Sequence, residues 1–349
     1  MLARALISQS ALKHNLSIVR KFSPNAKIVA MVKANGYGHR IDCIQTLLDD
    51  ADLLAVSELS EVKKLREKTE KPILLLPGVY SQQELDSAIS LNCDIVLHHH
   101  SQINIIDQAN KKVNIWLKLD TGMHRLGLSV EEFNLALETF SNHPCVNIAC
   151  QMSHFACADI ANHPLNATQL NNFEQSIDTN YARSMANSAA ILSNKTPEFE
   201  FIRPGIMLYG ASPIENQDFN LKPVMQLSAP VVSVKSIKAG ESVGYGATWI
   251  AKKDTQLAII GIGYGDGYPR HAKNGTPVLI NDTICSLAGR VSMDLICVDV
   301  GDAPIKIGDQ AILWGDPKLR VESIASYSDT LSYELLTQVS QRVNFEIGL

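Results

Sequence analysis

The sequence predicts an α/β fold, in which a closed (β/α)₈ TIM-like barrel is followed by a mostly β C-terminal domain. Through the first two thirds of the chain, short β-branched apolar runs alternate with segments of helical period, which is typical of a parallel sheet. Eight such strands fit a closed barrel. The competing doubly wound sheet lacks support, because no G-x-G-x-x-G pattern follows the first strand. The predicted strands are Ile28–Val32, Leu53–Val56, Ile73–Leu76, Asp94–Leu97, Asn114–Leu119, Asn147–Gln151, Ala182–Ala186 and Phe201–Ile202.

Helical patterns connect these strands in the order that a barrel requires. One precedes the first strand, and each strand except the last is followed by another. The predicted helices are Ser10–Lys21, Asp42–Asp49, Glu58–Lys68, Gln82–Ser90, Ser101–Ala109, Glu131–Phe140, Leu165–Asp178 and Ser188–Leu192.

The pattern changes near Val224, after which short strands follow one another with turn signals such as Asn274-Gly275 between them. This spacing is typical of all-β domains. We therefore predict a barrel domain over residues 1–225 and a mostly β domain over residues 226–349. The strands predicted in the second domain are Pro230–Ile237, Gln256–Ile262, Pro277–Ile280, Leu295–Val300 and Gln310–Trp314, and its late helices are Val321–Tyr327 and Tyr333–Val339.

Composition limits the class of protein. The 349 residues are 46% hydrophobic and 19% charged, so the chain can bury a large core. A net charge of −5 without a block of basic residues argues against nucleic acid as a partner. No apolar run approaches the ~20 residues that span a bilayer, and the N-terminus lacks a signal-peptide pattern. Seven cysteines without paired spacing argue against a disulfide framework. We expect a cytoplasmic protein that binds no membrane.

Lys33 is the first candidate for chemistry. The apolar run Ile28–Val32 ends abruptly in this lysine, which places its ammonium at the carboxyl end of a buried strand. Burial disfavours the charged form and frees the amine to act as nucleophile or base. The alternative is a lysine that simply leaves the core for water.

Further polar residues follow other strands on the same predicted face of the barrel, where active sites of this fold lie. Arg203-Pro204-Gly205 ends the eighth strand, where phosphate sites form, and Ser188 is positioned to contribute a hydroxyl. Lys118 alternates into the barrel interior, and Arg125 is suited to bind a carboxylate with two hydrogen bonds. The alternatives are an ordinary turn with a surface arginine for the first segment and a solvated loop for the second.

Two other segments are less specific. Tyr245 lies between glycines in the β domain, where it is either an exposed turn residue or an acid/base phenol. The run His98–His100 invites a metal site, but adjacent residues point in alternating directions and no carboxylate or cysteine completes a ligand set. We predict a loop there and no metal site in the chain.

These motifs together resemble alanine racemases, in the right order and over almost the whole length. The matching segments are Val32-Lys33-Ala34-Asn35-Gly36-Tyr37-Gly38-His39, Lys118 to Gly127, Ser153-His154-Phe155-Ala156, Ala186-Asn187-Ser188-Ala189-Ala190, Arg203-Pro204-Gly205-Ile206, Gly244-Tyr245-Gly246-Ala247-Thr248 and Arg290-Val291-Ser292-Met293-Asp294.

The resemblance implies an isomerase that interconverts L- and D-alanine with pyridoxal 5′-phosphate and supplies D-alanine for peptidoglycan. It implies a head-to-tail homodimer in which Lys33 acts on the D-form and Tyr245 of the partner subunit acts on the L-form. Arg203 would face the pyridine nitrogen, and Arg125 and Met293 would bind the substrate. The resemblance further assigns the phosphate or the rest of the cofactor to Tyr37, His154, Ser188, Gly205 and Ile206, and makes Lys118 a lysine that is often carbamylated.

One departure concerns Gln341, which stands where many members have an aromatic residue before the arginine, so a phosphate hydroxyl cannot be assigned to it. The main rival function is a broad-specificity amino-acid racemase, or a decarboxylase-like enzyme, on the same barrel. A second rival is a cofactor carrier without catalysis, against which the β domain argues.

Overall fold

A computed structural model describes residues 3–194, 197–215 and 217–348. Residues 1 and 349, the outer ends of the two predicted domains, lie outside the described residues. The predicted barrel is confirmed by an eight-stranded parallel sheet whose strands follow one another in chain order. Its strands are Lys27–Met31, Leu53–Val56, Ile73–Leu75, Cys93–Leu97, Val113–Lys118, Val146–Met152, Arg183–Ser184 and Phe201–Ile202.

The sheet closes on itself at two places. Phe201–Ile202, the last strand, pairs in parallel with Lys27–Met31, the first. A parallel bridge between Asn187 and Arg203 joins the ends of the last two strands. Closure brings the carboxyl ends of all eight strands around one opening, where residues distant in sequence become neighbours.

Helices surround the sheet, and most begin within one or two residues of prediction. The helices of the barrel are Gln9–Phe22, Gln45–Asp50, Leu59–Arg66, Gln82–Ser90, His100–Ile106, Val130–Phe140, Pro164–Ser176 and Ser188–Ser193. The predicted helix Asp42–Asp49 is wrong in its first part, because Ile41–Cys43 forms a separate 3₁₀ turn. Ile44 lies between the two with a non-helical φ of −117°.

The second sheet is antiparallel except for one pair of strands. Its strands, together with those of a small hairpin, are Arg4–Ser8, Met225–Ile237, Ser242–Val243, Trp249–Ile250, Thr255–Ile260, Pro277–Ile280, Thr283–Leu287, Ile296–Gly301, Gln310–Trp314 and Asn344–Gly348. The helices Val321–Tyr327 and Ser332–Gln338 follow the predicted bounds within one residue.

The N-terminal strand corrects the predicted domain division. Arg4–Ser8 pairs with Met225–Ile237 and with Asn344–Gly348, so it belongs to the C-terminal sheet and not to the barrel. Its hydrogen-bonding partners lie more than 200 residues away, and a five-residue pattern carries no information about them. The boundary near residue 225 otherwise stays a prediction.

The amino-terminal part of the barrel is filled. Trp116 is fully buried, its ring centroid lies 4.9 Å from that of Phe201, and its Nε1 donates to Asp94 Oδ2 at 3.1 Å. Burial raises the pKa of the Asp94 carboxyl, although this bond and one from Asn114 oppose the shift. Since this end is plugged by side chains, a ligand must enter from the carboxyl ends of the strands.

Candidate active site

A strained turn presents Lys33 at the opening of the barrel. Ala34, Asn35, Gly36 and Tyr37 have φ values of 52°, 54°, 68° and 51°, so four successive residues lie in the left-handed region. This conformation costs roughly 1–2 kcal/mol for each residue other than glycine. Such strain persists only where the surrounding structure holds it, and it is concentrated at functional sites.

Glu61 holds this turn against the neighbouring strand. Its Oε1 accepts from the backbone N–H of Asn35 at 3.0 Å, and its Oε2 accepts from that of Ser57 at 3.1 Å. Sequence reasoning missed this residue. Glutamate in the first turn of a helix is a common capping residue, so the pattern signals the local bond to Ser57 but not the one to Asn35.

The amine of Lys33 is half-buried, as the sequence indicated. Burial lowers the pKa of Lys33 below its usual value, and the charge of Arg125 lowers it further, whereas Glu61 opposes the shift. A lysine in this state has more free amine near neutral pH than an exposed lysine, which suits a nucleophile or a base.

Lys118 lies in the same opening. Burial lowers the pKa of Lys118 to about 8, and the charges of Arg203, Arg125 and Lys33 add to the effect, while Asp120 opposes it. Four cationic side chains therefore act on one another at the carboxyl ends of the strands. A concave site with this surplus of positive charge is suited to an anionic ligand.

Arg203 is the most buried of these cations. Only 4% of it is exposed, and its guanidinium donates to Ser184 Oγ at 2.5 Å and to the carbonyl oxygen of Ser153 at 2.5 Å. It also donates to His154 Nδ1 at 3.2 Å. Burial, and then the charge of Arg203, keeps the pKa of His154 well below its usual value. The imidazole is thus neutral, as an acceptor from arginine must be.

A small polar cradle follows Arg203 along the chain. The backbone N–H of Gly205 donates to Ser188 Oγ at 2.8 Å. A Cβ on Gly205 would lie 2.5 Å from the hydroxyl of Tyr37, so only glycine lets this backbone approach the tyrosine. Burial raises the pKa of Tyr37 to about 12, which keeps its hydroxyl protonated and able to donate. Two hydroxyls beside a glycine backbone in one cradle suit a phosphate group.

Asp120 shapes the loop that carries Arg125. Its Oδ1 accepts from the backbone N–H groups of Gly122 at 2.9 Å, Met123 at 3.1 Å and His124 at 3.1 Å. Burial opposes ionisation of Asp120, but these bonds and the charge of His124 lower its pKa overall. Arg125 follows directly, exposed at the rim of the opening.

The structure thus brings together the site residues predicted in the barrel. Ile206 also lies there, buried at the start of the 3₁₀ turn Ile206–Tyr209. Tyr245 and Met293 are instead exposed on the β domain, by 69% and 53%. The barrel residues are Lys33, Tyr37, Lys118, Arg125, His154, Ser188, Arg203, Gly205 and Ile206.

The histidine run and Gln341 lie outside this arrangement. His99 caps the helix His100–Ile106 through its Nδ1, so the predicted loop ends one residue earlier than expected. His98 and the carbonyl oxygen of Pro77 are 2.8 Å apart. Among the described residues, no group of three or more His, Cys, Asp or Glu side chains is arranged to hold a metal ion. Gln341 is exposed in a turn.

His39 should make stability depend on pH. It is fully buried, and its pKa is lowered from 6.5 to about 4 by burial, against bonds to backbone groups of Tyr37 and Gly36. The unfolded chain therefore binds a proton below pH 6.5 that the folded protein accepts only near pH 4. Stability that is present above pH 6.5 is lost through this window, by about 3 kcal/mol in total.

We expect the free energy of unfolding to fall more steeply between pH 6.5 and pH 4 in the wild type than in His39→Phe, where the ring remains but does not titrate. Chemical denaturation at a series of pH values measures this difference. His271→Phe is the control, because His271 is exposed. Parallel profiles for the wild type and His39→Phe would contradict the assignment.

Comparisons with known proteins agree along the whole chain. The family model "Alanine racemase, N-terminal domain" matches residues 7–213, and "Alanine racemase, C-terminal domain" matches residues 224–347. The alanine racemase of Vesicomyosocius okutanii is 61% identical over 339 residues, which are 97% of each chain. That of Shewanella frigidimarina is 43% identical over 366 residues, covering 99% of this chain and 98% of its own.

Solved structures give the same result. The crystal structure of biosynthetic alanine racemase from Pseudomonas aeruginosa has a TM-score of 0.96 at 40% identity, covering 100% of this chain and 99% of its own. Alanine racemase from Bartonella henselae, solved with covalently bound pyridoxal phosphate, has a TM-score of 0.91 at 29% identity and covers 100% of both chains.

Proposed function

Since this chain belongs to the alanine racemase family, and shares its isomerase activity on alanine and its pyridoxal-phosphate cofactor, we propose that two bases carry the reaction. Lys33 is the base on one face of the substrate, and Tyr245 of the partner subunit is the base on the other. The observation that supports this most is the half-buried amine of Lys33, whose pKa is lowered at the opening of the barrel.

The barrel residues fit the cofactor. A buried arginine, two half-buried lysines and an exposed arginine leave a positive site that a phosphate would neutralise. We assign the phosphate to Tyr37, Ser188 and the backbone at Gly205 and Ile206, and the covalent attachment to Lys33. When bound, the cofactor supplies a conjugated ring that acidifies the α-hydrogen of an attached amino acid.

Each of the two proposed bases acts on one enantiomer of alanine. An amine on one face removes the α-proton of only one enantiomer, and a group on the opposite face must return a proton for the configuration to invert. We assign the D-form to Lys33 and the L-form to Tyr245 of the partner subunit. With its lowered pKa, Lys33 can both take and give a proton near neutral pH.

Arg203 faces the pyridine nitrogen in this assignment. Burial lowers the pKa of Arg203 to about 10, which still leaves it protonated at neutral pH. A guanidinium only donates hydrogen bonds, so it leaves the nitrogen unprotonated and the ring a weaker electron sink. His154 stays neutral beside it. This environment favours return of the proton to the α-carbon over transamination.

Arg125 and Met293 complete the substrate side of the proposal, with Arg125 suited to the carboxylate of alanine. Lys118, whose pKa is about 8, has the free amine fraction that carbamylation needs. In that reaction its nitrogen bonds to the carbon of CO₂ and releases a proton. The resulting negative charge would hold Arg125 in place.

A homodimer is part of the proposal because of the exposed β domain. Tyr245, Ile250, Met293 and Leu295 of this domain are exposed by 69%, 57%, 53% and 41%. A second copy that placed its barrel opening over Tyr245 would cover this surface.

None of the described helices is both long and apolar enough to cross a bilayer. A cytoplasmic location and the supply of D-alanine for peptidoglycan rest on the resemblance to the family.

Tyr245→Phe tests the division of labour. We expect α-proton exchange from L-alanine in D₂O to slow by ~100-fold or more relative to exchange from D-alanine, because the phenol is removed from one face only. Initial rates with each enantiomer, measured by NMR, give the ratio. Tyr327→Phe is the matched control, an exposed tyrosine elsewhere in the same domain.

Equal losses with both enantiomers would refute the two-base assignment. The same assay with a panel of amino acids separates an alanine racemase from a broad-specificity enzyme, since preference for a bulky side chain would favour the latter.

A further inference from the structure

We propose that Tyr209 is a positioning residue, which holds the hydroxyl of Tyr37 against the phosphate cradle. The inference rests on the proposed role of Tyr37 at the phosphate. Tyr209 itself touches neither the substrate nor the reacting atoms in this assignment, and the sequence contains no motif that marks it.

Tyr209 is the middle ring of a three-ring stack. Its centroid lies 4.9 Å from that of Tyr37 with the planes 18° apart, and 4.6 Å from that of His39 with the planes 32° apart. It is 2% exposed, and the hydroxyl donates to the carbonyl oxygen of Met31 at 3.0 Å. His39 closes the stack, with its Nδ1 2.9 Å from the carbonyl oxygen of Tyr37.

The position of Tyr209 in the chain links the two segments that form the cradle. It ends the turn Ile206–Tyr209, which begins directly after Gly205. Its hydroxyl is bonded to Met31, two residues before Lys33, and the N–H of Met31 donates to the carbonyl oxygen of Pro204 at 3.1 Å. One side chain thus joins the end of the first strand to the segment after the eighth.

Tyr37 needs such support because of its own backbone. Its φ of 51° is unfavourable for a bulky residue, so the ring position depends on packing from outside the turn. Offset stacking of two aromatic rings is favourable and fixes their relative orientation. Tyr333 also packs on Tyr37, but its centroid is 6.1 Å away and its plane is tilted by 47°, so Tyr209 is the nearer and the better stacked support for the hydroxyl that faces Gly205.

The test is the dissociation constant of pyridoxal phosphate, measured by titrating apoprotein and following cofactor absorbance. We expect Tyr209→Leu to weaken binding ~10-fold or more. In a Tyr37→Phe background, the same change should have almost no further effect, since the hydroxyl through which Tyr209 acts is already absent. Additive losses would show a general packing effect and overturn the inference.

Tyr268→Leu is the matched control. Tyr268 is 1% exposed and stacks on Trp314 in the β domain, with centroids 6.3 Å apart. Its loss should lower stability but leave cofactor affinity within about threefold. An equal loss of affinity in Tyr268→Leu and Tyr209→Leu would overturn the inference.

Two further variants keep the test decisive if Tyr209→Leu does not fold. Tyr209→Met places an unbranched, flexible side chain of about leucine's volume in the space of the ring, and should lose affinity as leucine does. Tyr209→Phe keeps the stack and should bind within about threefold of wild type; a loss as large as that of leucine or methionine would exclude the stack as the cause.

If Tyr37→Phe binds the cofactor like the wild type, the proposed phosphate role of Tyr37 falls together with this inference. If Tyr37→Phe binds weakly while the Tyr209 variants bind normally, only this inference falls.

Discussion

Lys33→Ala should racemise alanine at least ~10⁴-fold more slowly than the wild type, in both directions. The substitution removes the proposed covalent anchor of the cofactor and one of the two bases together, and losses from such groups are not divided between separate roles. Because inversion needs both faces in the proposed two-base mechanism, the remaining phenol cannot restore a net reaction. Chiral analysis of alanine after incubation with either enantiomer measures the loss.

The attachment of the cofactor provides a second measurement. Reduction of the wild type with borohydride should fix the cofactor on Lys33, as peptide mapping would show, and Lys33→Ala should carry none after denaturation. Lys118→Met is the control, because Lys118 is the other half-buried lysine in the opening and lies close enough to Lys33 for the charge of Lys33 to lower its pKa. Cofactor found on Lys118 in the wild type would contradict the assignment.

The barrel was predictable because each of its strands can be recognised from a short stretch of sequence. Leu53–Val56 and Phe201–Ile202 have the predicted bounds, and others differ by one or two residues. Parallel strands buried on both faces are continuous apolar runs, which turns and helices interrupt visibly. Arg4–Ser8 was not predictable in this way, since its place in the C-terminal sheet depends on pairing with Met225–Ile237. Pairing two strands so far apart in the chain costs conformational entropy, which only tertiary packing offsets.

The site residues fall into the same two groups, those that a local sequence pattern indicates and those that depend on distant contacts. Lys33 and Arg203 could be inferred because each follows an apolar run that ends at the predicted opening. Glu61 and Tyr209 could not, because their contacts join different strand ends. The left-handed turn after Lys33 is a further example: asparagine and glycine tolerate positive φ, but alanine and tyrosine give little sign of φ values near 50°. Candidate catalytic and binding residues can therefore be recognised in the sequence. Residues that position them can be recognised only in the folded structure.

The proposed sharing of active sites between subunits predicts recovery of activity from two inactive variants. Lys33→Ala and Tyr245→Ala should each be inactive as homodimers. In a mixed dimer, one site receives intact Lys33 and intact Tyr245 of the partner subunit, while the other site lacks both groups. After denaturation, mixing in equal amounts and refolding, half of the dimers are mixed and each has one complete site. We expect about one quarter of wild-type activity, since the proposed two-fold symmetric dimer would have two equivalent sites.

A second mixture makes this recovery specific. Lys33→Ala with Arg125→Ala places both defects in the same barrel opening, so no mixed dimer contains a complete site, and activity should stay at the level of the separate variants. If Lys33→Ala with Tyr245→Ala also recovers nothing, although mixed dimers are present by mass spectrometry, each site draws its phenol from its own chain. The 69% exposure of Tyr245 would then need a different explanation, because a base open to water could not exchange a proton with a buried substrate.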